Sequence, residues 1–277
     1  GRPKGVCQTH FSMLGAGRGA CEVDSLNDRD DMLAYLPMAW VGDFLFSMAQ
    51  CMASGFTVNC PESRDTVSAD MKEIGPTYYF APPRVYEGLL TSVTIRMEDA
   101  GLIKKKMFDY FMSVAARCGA DILDRRSVGL GGRLLYSLGR LFVYGPLRNA
   151  LGMSRIRVAY TAGEAIGPDL FKFYRSIGVN LKQLYGQTES CAYACIQRDG
   201  EVKYDSVGTP SPGVEIKLGD NSEVLVRGVS LLKEYYKLPD ATAEALDADG
   251  YFHTGDAGVL DNDGHLRIID RAKDVSK

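Results

Sequence analysis

The chain has 277 residues, of which 45% are hydrophobic and 24% charged, the proportions of an ordinary globular protein and not of a disordered one. Lys and Arg number 32 against 35 Asp and Glu, and the formal charge of −3 gives no overall electrostatic reason to bind nucleic acid. No run approaches the ~18 uninterrupted apolar residues of a membrane-spanning helix, and no charged-then-apolar leader opens the chain, so a cytoplasmic protein is expected.

Cys7 to about Arg29 shows a weakly helical, glycine-broken pattern. Within it, Gly15-Ala16-Gly17-Arg18-Gly19-Ala20 fits G-x-G-x-x-A. A dinucleotide site needs a strand just before that pattern, and His10 to Leu14 is not a convincing one. Met32 to Pro37 reads as a buried strand closed by proline, and Gly42 to Ser54 as a buried helix ending before Gly55. Phe56 to Asn59 predicts a strand, Ser63 to Lys72 a helix, Thr77 to Ala81 a strand, and Pro82-Pro83 the start of another helix. This alternation argues for α/β layers around a mainly parallel sheet.

Residues 88–151 read as a long helical insertion. Its run Lys104-Lys105-Lys106 precedes Met107, Phe108, Phe111, Met112 and Val114 at helical spacing. Such a helix can lie on an anionic membrane as a peripheral contact, but a hairpin packed on the core with solvated lysines is the simpler reading. Ile156 to Tyr160 predicts a strand, Pro168 to Ile177 a helix closed by Gly178, and Leu181 to Tyr185 the next strand. After about residue 206 the pattern changes. Val214 to Leu218 and Glu223 to Val226 flank Gly219-Asp220-Asn221-Ser222 as a hairpin, and Gly250 to Phe252, Ala257 to Leu260 and His265 to Ile269 predict further short strands. The expected organisation is an α/β unit over 1–205 and a small antiparallel β unit over 206–270.

The seven cysteines form no C-x-x-C pair and the three histidines are scattered, so a zinc ribbon, a disulfide scaffold and a multi-histidine metal site are all disfavoured. No G-x-S-x-G elbow supports a serine hydrolase. The chemistry concentrates elsewhere. Thr161-Ala162-Gly163-Glu164-Ala165 follows a predicted strand, and small residues there let a flat ligand lie against backbone. Tyr185-Gly186-Gln187-Thr188-Glu189 follows the next strand, so both loops should leave one edge of the sheet, where open α/β folds bind ligands. Tyr185 offers an aromatic face, Thr188 a hydroxyl and Glu189 a hard oxygen ligand for Mg²⁺. In Tyr251-Phe252-His253-Thr254-Gly255-Asp256, a carboxylate follows what reads as a tight glycine turn, where it could accept two sugar hydroxyls. Asp270-Arg271 adds a cation. Each feature alone has a structural explanation; together they are the parts of a nucleotide site.

Four ordered motifs give the set a family likeness. Gly1-Arg2-Pro3-Lys4-Gly5-Val6 resembles the tail of the phosphate loop of the adenylate-forming (AMP-binding) superfamily, the acyl-CoA synthetases and their relatives. Tyr185 to Glu189 is similar to its Y-G-x-T-E motif, Tyr251 to Asp256 to its Y-x-x-T-G-D motif, and Asp270 to Lys277 to its D-R-x-K-D-x-x-K hinge. Tyr35-Leu36-Pro37 and the insertion look most like the long-chain fatty acyl branch. The resemblance implies a carboxylic acid activated by ATP as acyl-AMP and passed to CoA, with Mg²⁺ on Glu189 and Lys4 holding phosphates. It further implies that Thr188 bonds the α-phosphate, that Tyr185 stacks on adenine with Gly186 and Gln187 in the same loop, and that Gly163, Glu164 and Ala165 line the adenine and acyl pockets. Asp256 and Arg271 would hold the ribose, Trp40 would stand at the acyl-tunnel entrance, and residues 271–277 would be the start of an interdomain hinge with Lys273 as its pivot. Glu164 and Ala165 depart from the small residue and proline usual there, which would suit a more polar acid. The first and last motifs sit at the chain ends, so the expectation is a central fragment, inactive alone. A non-catalytic nucleotide- or acyl-binding piece, and an adenylation enzyme serving a carrier-protein thiol, remain as alternatives.

Overall fold

The computed structural model describes residues 3–275. They open with the two-residue strand β1 (Val6–Cys7) and the helix His10–Asp24. A seven-stranded sheet follows: β2 (Asp31–Leu33), β3 (Thr57–Asn59), β4 (Tyr78–Phe80), β5 (Val158–Thr161), β6 (Leu181–Tyr185), β7 (Cys195–Ile196) and β8 (Thr209–Pro210). Their spatial order is β3-β2-β4-β5-β6-β7-β8; the first five run parallel, and β7 and β8 close the edge antiparallel. Strands β9 (Val214–Leu218), β10 (Glu223–Gly228), β12 (Phe252–Leu260) and β13 (Leu266–Arg271) build a four-stranded antiparallel sheet, and the intervening β11 (Glu234–Tyr235) turns back to pair with β1.

The sheet is covered on both faces, as alternation along its strands requires. Tyr78 and Phe80 of β4 enter one core and Tyr79 the other; Val158 and Tyr160 of β5 likewise oppose Ala159. The first core is roofed by helix His10–Asp24 and the helical run 41–54, and it extends without a break to Val214, Val224, Val226 and Leu266 of the second sheet. The other holds the helices Val67–Ile74, Pro83–Glu98, Leu102–Leu123 and Pro168–Ser176 with the helical run 130–150, so most of residues 88–151 are helical.

Several sequence expectations shift. The glycines near the start do not break a helix: His10–Asp24 runs through all of them under a Thr9 cap. A side chain at Gly17 would press on the Ala49 backbone at 2.7 Å, so the glycine allows two helices to cross closely. The helix expected from Ser63 begins at Val67, because the Ser63 and Thr66 hydroxyls bond each other's backbone and close a turn first. The separate strands expected at 250–252 and 257–260 are one strand, β12. Asp256 therefore follows no tight turn. It sits inside β12, where Thr254 Oγ1 accepts the Asp256 N–H and Glu223 accepts that of Gly255, taking up backbone groups where the register with β10 is irregular between Glu223 and Leu225. No described helix is long and apolar enough to cross a membrane.

Candidate functional site

Strands β5 and β6 are parallel neighbours with Thr161 opposite Gln183, so the loops after them leave the same edge of the sheet. The first loop carries Gly163, Glu164 and Ala165, all exposed. The second folds tightly: Gln187 and Ser190 form a reciprocal cap around the turn Thr188–Ser190. Gly186 is required there, because a Cβ would fall inside the Ala192–Tyr193 peptide.

That second loop gathers two groups of side chains. On one side, Tyr185 Oη donates to Asp256 Oδ2 at 2.6 Å and Gln187 Nε2 donates to the same oxygen at 2.7 Å. Arg271 Nη1 lies 2.8 Å from Asp256 Oδ1, and β12 and β13 place these two residues directly opposite each other. Burial, together with the Asp256 carboxylate, raises the Tyr185 hydroxyl far above its ordinary pKa, so it remains a donor. Of the roughly four acceptor positions of a carboxylate, three are taken. Asp256 is held rigidly with one position left on Oδ1, and accepting a pair of hydroxyls would require one partner to move.

On the other side, Tyr235 Oη donates to Glu189 Oε1 at 2.7 Å, and the Lys4 ammonium stands 4.5 Å from the centre of the Tyr235 ring. This arrangement depends on the β1–β11 pairing, which puts Val6 opposite Tyr235. Gln8 fastens the same segment to the loop by donating to the Thr188 carbonyl at 2.8 Å, and the Leu232 N–H bonds the Glu189 carbonyl. Burial, with the neighbouring Glu189 carboxylate, raises the Tyr235 hydroxyl well above its usual pKa. The Thr188 side chain is exposed beside it. Residues almost the whole chain apart, Lys4, Thr188, Glu189 and Asp256, thus converge on one five-residue loop.

Sequence reasoning did not single out Tyr235 or Gln8. The only signal at Tyr235 was the aromatic pair Tyr235-Tyr236 after an apolar run, and a two-residue strand has no period to read. Trp40 is about half exposed, 46%, at the start of the 41–54 helical run. Beside it, Met13, Met38, Val41, Phe44 and Cys191 line an apolar cavity of about 170 Å³ that Gln8 also borders, joining it to the Thr188 loop. Lys273 is exposed in the short helix Ala272–Val275 just past Arg271. Gly1, Arg2, Ser276 and Lys277, parts of the terminal motifs, lie outside the described residues.

Among the described residues no group of three or more His, Cys, Asp or Glu could enclose a metal. Glu189 fits the other mode: one oxygen is pinned by Tyr235, the second accepts no hydrogen bond among the described residues, and Mg²⁺ commonly takes one or two carboxylates with water and phosphate oxygens.

Comparison with known proteins bears on this geometry. The sequence profile of the family described as "AMP-binding enzyme" matches residues 1–236. The chain is 32% identical over 278 residues to a putative fatty-acid–CoA ligase, fadD11, of Mycobacterium tuberculosis, covering 99% of this chain and 48% of that protein. It is 27% identical over 295 residues to the peroxisomal long chain acyl-CoA synthetase 7 of Arabidopsis thaliana, covering 100% of this chain and 40% of the relative. The chain thus spans about half the length or less of these curated relatives. Its fold matches that of a Mycobacterium tuberculosis fatty acyl CoA synthetase with a TM-score of 0.69 at 23% identity, over 99% of this chain and 46% of that one. The N-terminal domain of FACL13 from the same organism gives 0.68 at 23% identity, over 97% of this chain and 58% of that one.

Proposed function

The chain belongs to the AMP-binding enzyme family, and from that premise we propose that the protein acts as an ATP-dependent acyl-CoA synthetase, activating a long-chain fatty acid as acyl-AMP and passing the acyl group to CoA. A carboxylate resists attack by a thiol because oxide is a poor leaving group; joining it to AMP supplies a good one and releases pyrophosphate. The observation that carries the reading is the meeting of Lys4, Thr188 and Glu189 around Tyr235, with Asp256 and Arg271 on the other side of the same loop.

In this scheme the Lys4 ammonium steadies the β- and γ-phosphates and the Thr188 hydroxyl donates to the α-phosphate. Glu189, aimed by Tyr235, is the residue that would hold Mg²⁺. When bound, the ion neutralises phosphate charge during in-line attack at the α-phosphorus. Tyr185 lies against the adenine, Gly163 to Ala165 border the base and the reacting carboxylate, and Asp256 with Arg271 orients the ribose. The alkyl chain enters the cavity beside Trp40, where each buried CH₂ contributes about 0.8 kcal/mol, so depth selects chain length. Support for a long chain comes from the Arabidopsis thaliana relative, a long chain acyl-CoA synthetase, and from the apolar lining of that cavity.

The deciding experiment is carboxylate-dependent ATP–pyrophosphate exchange across a panel of acids, followed by product analysis with CoA. Exchange should be strongest with long saturated acids and should be lost in Glu189→Ala. Exchange that is indifferent to the acid supplied, or unchanged in that variant, would refute the assignment.

A further inference from the structure

A further apolar groove lies away from these loops. It lies between the helices of the insertion and Val67–Ile74, with a volume of about 290 Å³. Val93, Val143 and Leu151, all buried, form its floor with Leu89, Met97 and Phe108. These residues belong to the core on one face of the sheet, whereas the cavity beside Trp40 is lined by residues of the core on the other. The two are separate sites.

The groove's rim is one-signed. Lys72, Arg96 and Lys104 line it and no carboxylate does. None of the three forms an ion pair or side-chain hydrogen bond among the described residues, although Asp and Glu outnumber Lys and Arg in the chain and pair with other Lys and Arg elsewhere. They come from three helices: Lys72 from Val67–Ile74, Arg96 from Pro83–Glu98 and Lys104 from Leu102–Leu123. Simple solvation of one amphipathic helix would not bring unpaired cations from three elements to the edge of one apolar trough. An apolar floor under unsatisfied positive charge is complementary to a molecule with an alkyl tail and an anionic head.

We propose that this groove is a second ligand site, binding a single-chain amphiphile with an anionic head, its tail along Val93, Phe108 and Leu151 and its head among Lys72, Arg96 and Lys104. The groove is recessed between helices, which suits one chain in a trough better than a flat bilayer face. The assignment does not depend on the reaction proposed above.

The test is photolabelling of the protein with hexadecanoate carrying a terminal diazirine, below its aggregation concentration, and peptide mapping by mass spectrometry. Label is expected on segments 83–98, 102–123 and 142–151, separately from any label at 38–49. Charge reversal by Arg96→Glu with Lys104→Glu, both exposed, should lower labelling of the insertion about tenfold while label at 38–49 stays constant. Loss at both places would make the groove no independent site and overturn the proposal. Competition by hexadecanoate against hexadecyl phosphate identifies the head group, and hexadecyltrimethylammonium should not compete. Insertion label that survives charge reversal, or is displaced equally by the cationic amphiphile, overturns the proposal. So does label that appears only with phosphatidylserine vesicles, which would assign the face to a bilayer instead. Val93→Phe, which fills the floor, provides a second variant: it should reduce insertion label with the rim charges intact.

Discussion

The parallel sheet carries carboxylate–cation clusters at both ends, and they are built to opposite specifications. At the amino ends of the strands, Lys182 is fully buried between Asp24 and Asp199, at 2.7 and 2.6 Å, and Arg157 meets Asp30 at 2.7 Å just before β5. At the carboxyl ends, Asp256 and Arg271 meet the loop after β6, and the guanidinium side chain is 57% exposed. The amino-end clusters lock helix His10–Asp24 to the sheet around a fully buried Lys182 and Asp24. The open one fixes a carboxylate while keeping an acceptor position and a cation within reach of solvent. Similar chemical groups therefore serve fixation at one end and binding at the other, and access decides which.

The difference is broken most forcefully at Lys182. Lys182→Ala strands Asp24, whose carboxyl burial already raises in pKa and whose Oδ2 is buried without a partner among the described residues. Removing one partner of a buried pair costs about 3–5 kcal/mol, and urea unfolding should show a loss of that size. Replacing both, Asp24→Leu with Lys182→Met, should restore most of it. A loss below ~1 kcal/mol for the single variant would mean that the amino-end cluster does not fix the fold.

At the open end the effects should fall on activity and spare stability. Glu189→Gln should cut ATP–pyrophosphate exchange by roughly 10²-fold or more, comparable to removing one electrostatic contact to a transition state, with unfolding shifted by less than about 1 kcal/mol. Tyr235→Phe, which only releases Glu189 Oε1, should lose several-fold in exchange and raise the Mg²⁺ concentration needed for half-maximal rate; an unchanged Mg²⁺ dependence would remove its positioning role. Asp256→Asn should weaken AMP binding about tenfold by calorimetry. Equal affinity in that variant would show that the bound nucleotide does not reach the remaining acceptor.

Legibility in the sequence follows the same division. The carboxyl-end loops could be read because motif and strand coincide: Leu181 to Tyr185 was expected as a strand and is β6, so the placement of the loop after it followed directly. The hairpin of β9 and β10 was legible for a similar reason, two alternating runs around a turn-rich tetrapeptide. What joins Lys4 to Glu189 was not, because β1 and β11 are two residues each and lie more than two hundred positions apart. Nor could the sequence show the amino-end network. Asp24, Asp30, Arg157 and Lys182 look like surface charges until packing buries Lys182 completely. The basic triplet at 104–106 was visible, but the groove beside it requires Lys72 and Arg96 from other helices.

The smallest predicted effect separates the two amino-end aspartates by pH. Burial would raise the Asp30 carboxyl, but hydrogen bonds from Arg157, Thr77 and the Asn27 N–H outweigh it and hold the group below the ordinary aspartate range; Asp24, buried more deeply, is raised. A lowered folded pKa binds fewer protons than the unfolded chain, so Asp30's contribution is fully present above about pH 4 and is lost as pH falls through its folded value. Asp24 has the opposite sign: protonation is easier in the folded state, so acid does not withdraw its contribution in that window. Arg157 is 40% exposed and solvent screens its side of the pair, which limits the Asp30 contribution to roughly 1 kcal/mol. Unfolding free energy followed from pH 6 down to about 2.5 should therefore fall less steeply in Asp30→Asn than in the unmodified protein, with the two curves converging at the acid end. If the curves stay parallel throughout, the Asp30–Arg157 pair is as weakly coupled to folding as an exposed one, and only the Lys182 cluster fixes the amino ends of the sheet.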